Sequence, residues 1–79
     1  MPAKRDTLHL LGDEIRQARK ARGWNQDQLA AHCGLHRTFI SGVERGVKNP
    51  SVLSLEAITT SLQLSISKVF ASIERDQRR

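Results

Sequence analysis

Apolar residues recur at helical spacing in successive stretches of the chain, and no stretch alternates apolar and polar positions as a half-buried strand would. The first stretch spaces its apolar residues by three, four and three positions: Leu8, Leu11, Ile15 and Ala18. Such spacing places them on one side of a helix. Asp6 or Thr7 can cap the start of this helix, and Gly23 can end it.

The stretch from Asn25 to Arg45 predicts two short helices joined by a tight turn. Asn25 can cap the first of them, and Gly34 can adopt the left-handed backbone that ends it. The second helix begins near residue 36 or 37. The residues expected inside are Leu29, Ala30, Cys33, Ile40 and Val43, and those expected outside or partly outside are Arg37, Thr38, Phe39, Ser41 and Arg45. A short helix, a glycine turn and a helix with donors on its outer face are typical of a helix-turn-helix that reads DNA.

Two more helices are predicted after a loop over residues 46–50. Pro50 disfavours helix at the residue before it, and Ser51 can cap the helix that follows. The buried stripe expected for this fourth helix is Val52, Leu55, Ile58 and Leu62, and Leu53 lies outside it. Ser65 can cap the last helix.

The C-terminal part of the chain carries more apolar surface than one small domain can easily bury. The residues concerned are Leu53, Leu64, Ile66, Val69, Phe70 and Ile73. Exposed apolar patches usually mark a partner surface, so we expect a second copy paired about a twofold axis, with residues 64–74 as the dimerisation helix. The alternative, that this helix only closes the core of the monomer, stays open. Residues 1–6 and 75–79 are expected to be flexible.

Length and charge narrow the class of protein. Seventy-nine residues suit one domain, so we predict a single all-α domain of five helices over residues 1–79. Thirteen Lys and Arg against eight Asp and Glu give a net charge of +5, which fits a polyanion such as DNA, RNA or a membrane surface. One cysteine cannot form an intrachain disulfide, and no apolar run is long enough to span a membrane. We expect a soluble, cytoplasmic protein without a membrane partner.

Several spaced motifs resemble those of the Cro/repressor-type (XRE-type) helix-turn-helix regulators. They are Gln26 to Ala30, Gly34-Leu35, Ile40-Ser41, Glu44 to Gly46 and Asn49 to Ser51. The resemblance implies a five-helix, lambda-repressor-like DNA-binding domain. Within this family, residues 37–45 are most similar to the controller proteins of restriction–modification systems.

That narrower resemblance implies a mode of action. Controller proteins bind pseudo-palindromic operators in double-stranded DNA as dimers, and they regulate their own gene and the endonuclease gene. Two dimers on adjacent sites and contact with RNA polymerase are further possibilities that the resemblance raises. Another XRE-type repressor, or the antitoxin of a toxin–antitoxin pair, remains an alternative, although an antitoxin usually needs an added segment for its toxin.

The resemblance also implies roles for single residues. Arg37 matches a base-reading position, and Thr38 and Phe39 match neighbours that touch bases or backbone. Arg45 matches an arginine that contacts phosphate or a groove, and Gln26 matches a glutamine that meets a phosphate. The family's structural ion pair, which fastens the first helix to the recognition helix, corresponds to Arg19 and Glu44. His36 departs from the family pattern because Ser or Asp usually caps the recognition helix there.

The chemistry of these side chains leaves some roles open. Arg37 can donate to O6 and N7 of a guanine, or it can bind a phosphate. Phe39 can pack on the edge of the core or against a thymine methyl. Gly42 lies within a helix, where glycine costs about 1 kcal/mol relative to alanine, so it indicates a close approach to DNA or to another helix. The expected phosphate contacts are Ser41, Lys48 and Asn49.

Other classes of function find little support in the sequence. No paired carboxylates, activated nucleophile or Gly-rich phosphate loop is present, so we expect neither catalysis nor a cofactor. His32, Cys33 and His36 offer at most three metal ligands, and we expect no metal site. Binders of single strands need exposed aromatic rings, whereas this chain has two Phe, one Trp and no Tyr.

Overall fold

The computed structural model describes residues 6–78, which form five α-helices and no strand. The helices are α1 (Thr7–Ala21), α2 (Gln26–Cys33), α3 (Arg37–Glu44), α4 (Val52–Ser61) and α5 (Ile66–Gln77). The predicted all-α, five-helix class is confirmed. Flexible ends were expected over residues 1–6 and 75–79, and of these, residues 1–5 and 79 lie outside the described part of the chain. Asp6 caps α1, and α5 includes residues 75–77, which were expected to be loose.

The helix boundaries follow from local side-chain chemistry. Asn25 and Gln28 form a reciprocal capping box at the start of α2. The hydroxyl oxygens of Ser51 and Ser65 accept hydrogen bonds from backbone N–H groups in the first turns of α4 and α5. Gln63, between these two helices, has a left-handed φ of 56°, and Arg22 donates a hydrogen bond of 2.7 Å to its side-chain oxygen.

The core lies where the inner faces of all five helices meet. Helix α1 packs against α3 and α5, and α2 packs against α3 and α4. The buried apolar side chains are Leu10, Leu11, Ile15, Leu29, Ala30, Ile40, Val43, Leu55, Ile58, Leu62, Val69 and Ile73. Most of the predicted stripes are therefore correct.

Two assignments from the apolar pattern were wrong. Val52, expected in the buried stripe of α4, is 75% exposed because it lies in the first turn, at the rim of an open groove between α4 and α5. Val69 and Ile73, expected at a dimer interface, are 5% and 1% exposed and belong to the core of the monomer. Helix α5 therefore closes the monomer core with one edge, and only its remaining apolar side chains are accessible to a partner.

Helices α1 and α3 come into direct backbone contact at Gly12. A Cβ atom at this position would collide with the carbonyl oxygen of Glu44 and would lie 2.6 Å from that of Val43. Only glycine allows α1 to approach the end of α3 this closely, since each of those atoms is backbone and cannot rotate away.

A buried ion pair fastens the same two helices. Arg19 donates from Nε to Oε2 of Glu44 at 2.7 Å and from Nη2 to Oε1 at 2.9 Å. Its Nη1 donates to the backbone oxygen of Trp24 at 2.8 Å. The side chains of Arg19 and Glu44 are only 9% and 2% exposed, and the hydrogen bonds that Arg19 donates to Glu44 raise the pKa of Arg19. The position of α3 therefore depends on complementary charges that are almost removed from water.

Gly12→Ala is expected to destabilise the fold, because the added methyl group has no space between α1 and α3. Overpacking a core costs about 1–3 kcal/mol, and the rigid backbone contacts place the cost of this substitution toward the upper end of that range. This cost exceeds the ~1 kcal/mol by which alanine is favoured over glycine within a helix. Urea unfolding measures the change. Gly42→Ala is the matched control, because its methyl group would meet the side chain of Lys48, which can move. A Gly12→Ala protein as stable as the Gly42→Ala protein would contradict the close approach.

Glu44→Ala is expected to lower the free energy of unfolding by about 3–5 kcal/mol, because it leaves the Arg19 charge buried without a partner. For a domain of this size the melting temperature should fall by more than about 10 °C. Glu56→Ala, which removes an exposed glutamate from α4, should change stability by no more than about 0.5 kcal/mol. The double variant Arg19→Met, Glu44→Leu should be more stable than Glu44→Ala. An unchanged melting temperature in Glu44→Ala would refute this role of the ion pair.

Candidate nucleic-acid interface

The turn between α2 and α3 is set by one glycine and one apolar residue. Gly34 ends α2 with a φ of 71°, a left-handed conformation that favours glycine. The backbone N–H of Leu35 then donates to the carbonyl oxygen of Ala30 at 3.1 Å, and the Leu35 side chain packs half-buried against the core. These contacts fix the direction in which α3 leaves the turn.

The start of α3 is capped by His36, the residue that departs from the family pattern. Its Nδ1 accepts a hydrogen bond from the backbone N–H of Thr38 at 3.3 Å and lies 2.8 Å from the Thr38 hydroxyl oxygen. The unusual cap therefore keeps the helix start at Arg37 and also holds the Thr38 hydroxyl.

Polar and basic side chains cover the outer side of α3. Arg37, Thr38 and Arg45 are exposed, Ser41 is half-buried, and Lys48 and Asn49 are exposed in the loop that follows. Arg37 and Ser41 are four positions apart and therefore lie on the same side of the helix. We call Arg37, Thr38, Ser41, Arg45 and Lys48 the basic face of α3, whereas Asn49 lines an apolar groove beside Pro50 and Val52. The basic face presents hydrogen-bond donors at both ends of a helix whose opposite side, with Ile40 and Val43, is fully covered by protein.

Gly42 does not belong to this face, which corrects its assignment as a DNA contact. It is buried, and a Cβ atom there would collide with Cγ of Lys48. Its carbonyl oxygen also accepts hydrogen bonds from the backbone N–H groups of Val47 and Lys48, at 3.0 and 3.2 Å. The close approach that the glycine permits is therefore to the following loop, and it holds Lys48 beside α3.

Phe39 and Gln26, two further expected DNA contacts, both make contacts within the protein. Phe39 is half-buried and packs against the core, which was one of the two roles left open for it. The side-chain amide of Gln26 donates to Oε1 of Glu44 at 3.1 Å. Gln26 is also the first residue of α2, where free backbone N–H groups and the helix dipole favour an anion.

Asp27 is a neighbour of the basic face that the sequence pattern did not reveal. Its Oδ1 lies 3.5 Å from Nε of Arg37, and both side chains are largely exposed, at 72% and 58%. The two residues are ten positions apart and belong to different helices, so no helical spacing relates them. Only the geometry of the turn brings them together, and a search for charge pairs within one helix cannot find the contact.

The expected dimer residues divide into core and surface groups. Leu53 is 76% exposed, whereas Leu64, Ile66 and Phe70 are half-buried. Ile66 and Phe70 line an apolar groove of about 300 Å³ together with exposed Val52 at the start of α4. With Val69 and Ile73 in the core, the accessible apolar surface is narrower than the sequence predicted, and it joins the first turn of α4 to one edge of α5.

The remaining candidate side chains take part in packing. His32 stacks on Trp24 with ring centroids 4.1 Å apart and an angle of 11° between the rings, and Trp24 also packs against the core. Cys33 is half-buried, and burial raises the pKa of its thiol. Among residues 6–78, no three or more His, Cys, Asp or Glu side chains are grouped as a metal site would require. None of the described helices is long and apolar enough to cross a membrane.

Comparison with known proteins places this geometry in a family. The model of the helix-turn-helix family matches residues 15–69. The control protein C.BamHI of Bacillus amyloliquefaciens is 43% identical over 54 residues, which are 67% of this chain and 67% of that protein. The control protein C.MunI of a Mycoplasma species is 33% identical over 66 residues, which are 82% of this chain and 89% of that protein.

Solved structures agree with the sequence relatives. The restriction–modification controller protein C.Esp1396I, solved as a tetramer in complex with its natural 35-base-pair operator, matches this fold with a TM-score of 0.80. It is 30% identical, and the match covers 96% of this chain and 100% of that chain. This chain therefore belongs to the helix-turn-helix family of DNA-binding regulators and, within it, to the controller proteins of restriction–modification systems.

Proposed function

We propose that the protein binds a pseudo-palindromic operator as a dimer and regulates transcription of its own gene and of an endonuclease gene. The observation that carries the proposal is the two-sided character of α3. Its inner side is held by the core and by the buried Arg19–Glu44 pair, whereas the basic face is open to a partner. A helix that is rigid on one side and rich in donors on the other is suited to enter a major groove.

Arg37 is the residue we propose for reading bases. It is the first residue of α3, and the N-terminal residues of a recognition helix are the ones that contact base edges. A guanidinium can donate two parallel hydrogen bonds to O6 and N7 of a guanine and discriminate against other bases by about 1–3 kcal/mol. Thr38, beside it, offers a hydroxyl and a methyl group to a phosphate or to a thymine.

Arg45, Lys48 and Asn49 are proposed to bind phosphates, and the N-terminus of α2 at Gln26 can do the same. Contacts of this kind fix the position of the protein on the duplex without reading sequence. Because each one releases counterions from the DNA, affinity should fall steeply with salt. The net charge of +5 favours the same partner.

The accessible apolar surface is proposed as the dimer interface. It comprises Leu53, Val52 and the exposed parts of Ile66 and Phe70. Two copies related by a twofold axis would place two α3 helices in successive major grooves, about 34–36 Å apart. C.Esp1396I was solved as a tetramer on its operator, which supports the further proposal that two dimers of this protein bind adjacent sites. RNA polymerase is the additional partner that transcriptional activation would require.

Arg37→Ala is expected to weaken binding to the preferred duplex by at least about fivefold, because the loss of a bidentate guanine contact removes roughly 1–3 kcal/mol. A duplex selected from a randomised library by the wild-type protein serves as the probe, and fluorescence anisotropy at physiological salt measures affinity. Arg75→Ala removes the same charge from the exposed side of α5 and should have a smaller effect. A wild-type protein that binds selected and scrambled duplexes equally well would refute sequence-specific function.

Leu53→Glu is expected to convert the dimer to a monomer, because it places a charge within the proposed interface. Leu53 is 76% exposed in the monomer, so the folded chain itself should keep its melting temperature at low concentration. Sedimentation velocity measures the oligomeric state. Ala21→Glu, at an exposed position at the end of α1, is the control and should remain dimeric. A Leu53→Glu protein that sediments as the wild-type dimer would place the interface elsewhere.

A further inference from the structure

The basic face of α3 has one acidic neighbour. Asp27 lies in the first turn of α2 and Arg37 at the first position of α3, and Oδ1 of the aspartate is 3.5 Å from Nε of the arginine. We propose that Asp27 positions the Arg37 guanidinium for base reading and keeps it from binding phosphates. Asp27 would then be a specificity determinant of the DNA site, an inference that rests on the proposed function.

The ion pair occupies one edge of the guanidinium and leaves the other free. A guanidinium has one N–H on Nε and four on its two terminal nitrogens. Asp27 faces the Nε edge, and none of residues 6–78 accepts a hydrogen bond from Nη1 or Nη2 of Arg37. The two terminal nitrogens can donate side by side to O6 and N7 of one guanine. The aspartate therefore restrains the side chain without blocking its reading end.

The contact between Asp27 and Arg37 contributes little to the stability of the fold. Both side chains are more than half exposed, and ion pairs between exposed side chains contribute little to folding. A carboxylate beside a face that must approach a polyanion also repels phosphates. This repulsion weakens every complex in which Arg37 would bind a phosphate, whereas a guanine presents neutral acceptors. The expected result is a lower affinity for random DNA and a larger ratio of specific to non-specific binding.

A purely structural role for Asp27 is the competing explanation. An acidic residue in the first turn of a helix interacts favourably with the helix dipole. Such a role would affect the melting temperature and all DNA contacts together. A positioning role would affect discrimination only at the base pair that Arg37 reads, and the two explanations therefore differ in a measurable way.

The experiment measures, at each base pair of the site, the ratio of the affinities for the preferred duplex and for the duplex with that base pair substituted. The probes are a duplex selected by the wild-type protein from a randomised library and its single-base-pair substitutions. Arg37→Ala first identifies the base pair at which discrimination is lost. At that base pair the wild-type protein should discriminate by about 5- to 150-fold. Asp27→Asn should lower this ratio by at least threefold, leave the ratios at other positions unchanged and bind random duplex more tightly.

Two variants serve as controls. Asp13→Asn changes the net charge equally but removes a carboxylate of α1 that pairs with Arg16, so it should leave every ratio unchanged. Asp27→Glu keeps a carboxylate within reach of Arg37 and should restore most of the discrimination. Thermal unfolding of each variant accompanies the binding data.

Three results would overturn the inference. The first is an Asp27→Asn protein with full discrimination at the Arg37 base pair and the same general gain in affinity as Asp13→Asn. The second is a loss of discrimination at all positions together with a lower melting temperature, which would assign Asp27 a structural role. The third is a wild-type protein without any sequence preference, which would refute the proposed function as well.

Discussion

The orientation of α3 on the rest of the domain depends on the buried ion pair between Arg19 and Glu44. Its charges are nearly excluded from water, and the hydrogen bonds from Arg19 to Trp24 and from Gln26 to Glu44 satisfy further atoms of the pair. The backbone contact at Gly12 places Glu44 close enough to α1 for this geometry. A core of a dozen modest apolar side chains is not directional, whereas the ion pair fixes one orientation of the recognition helix.

In this arrangement, one side of α3 keeps the helix in place and the opposite side is available to bind a partner. The inner side of α3 is fixed by packing and charge, and its outer side is free to donate hydrogen bonds. A preorganised helix loses little conformational entropy when it binds, so more of the interaction energy can serve affinity. Three side chains of the basic face also make contacts within the protein: Thr38 with His36, Lys48 with Gly42 and Arg37 with Asp27.

The sequence was sufficient to predict the five helices, most of their caps and most of the core, because these depend on local propensity and on apolar spacing. It was insufficient wherever a contact joins distant elements. The exposure of Val52 and the burial of Val69 depend on how the helices pack against one another, and the partner of Gly42 is a loop whose path no local pattern describes. The contact between Asp27 and Arg37 likewise arises from the turn at Gly34. The ion pair of Arg19 and Glu44 could be anticipated only through the family resemblance.

The central claim is that the outer side of α3 enters the major groove while its inner side stays fixed. The most direct measurement is a set of intermolecular nuclear Overhauser effects between the labelled protein and its selected duplex. Contacts from Arg37 and Thr38 to major-groove base protons, with the core resonances unshifted, are the predicted result. Contacts confined to the minor groove or to another helix would contradict the account.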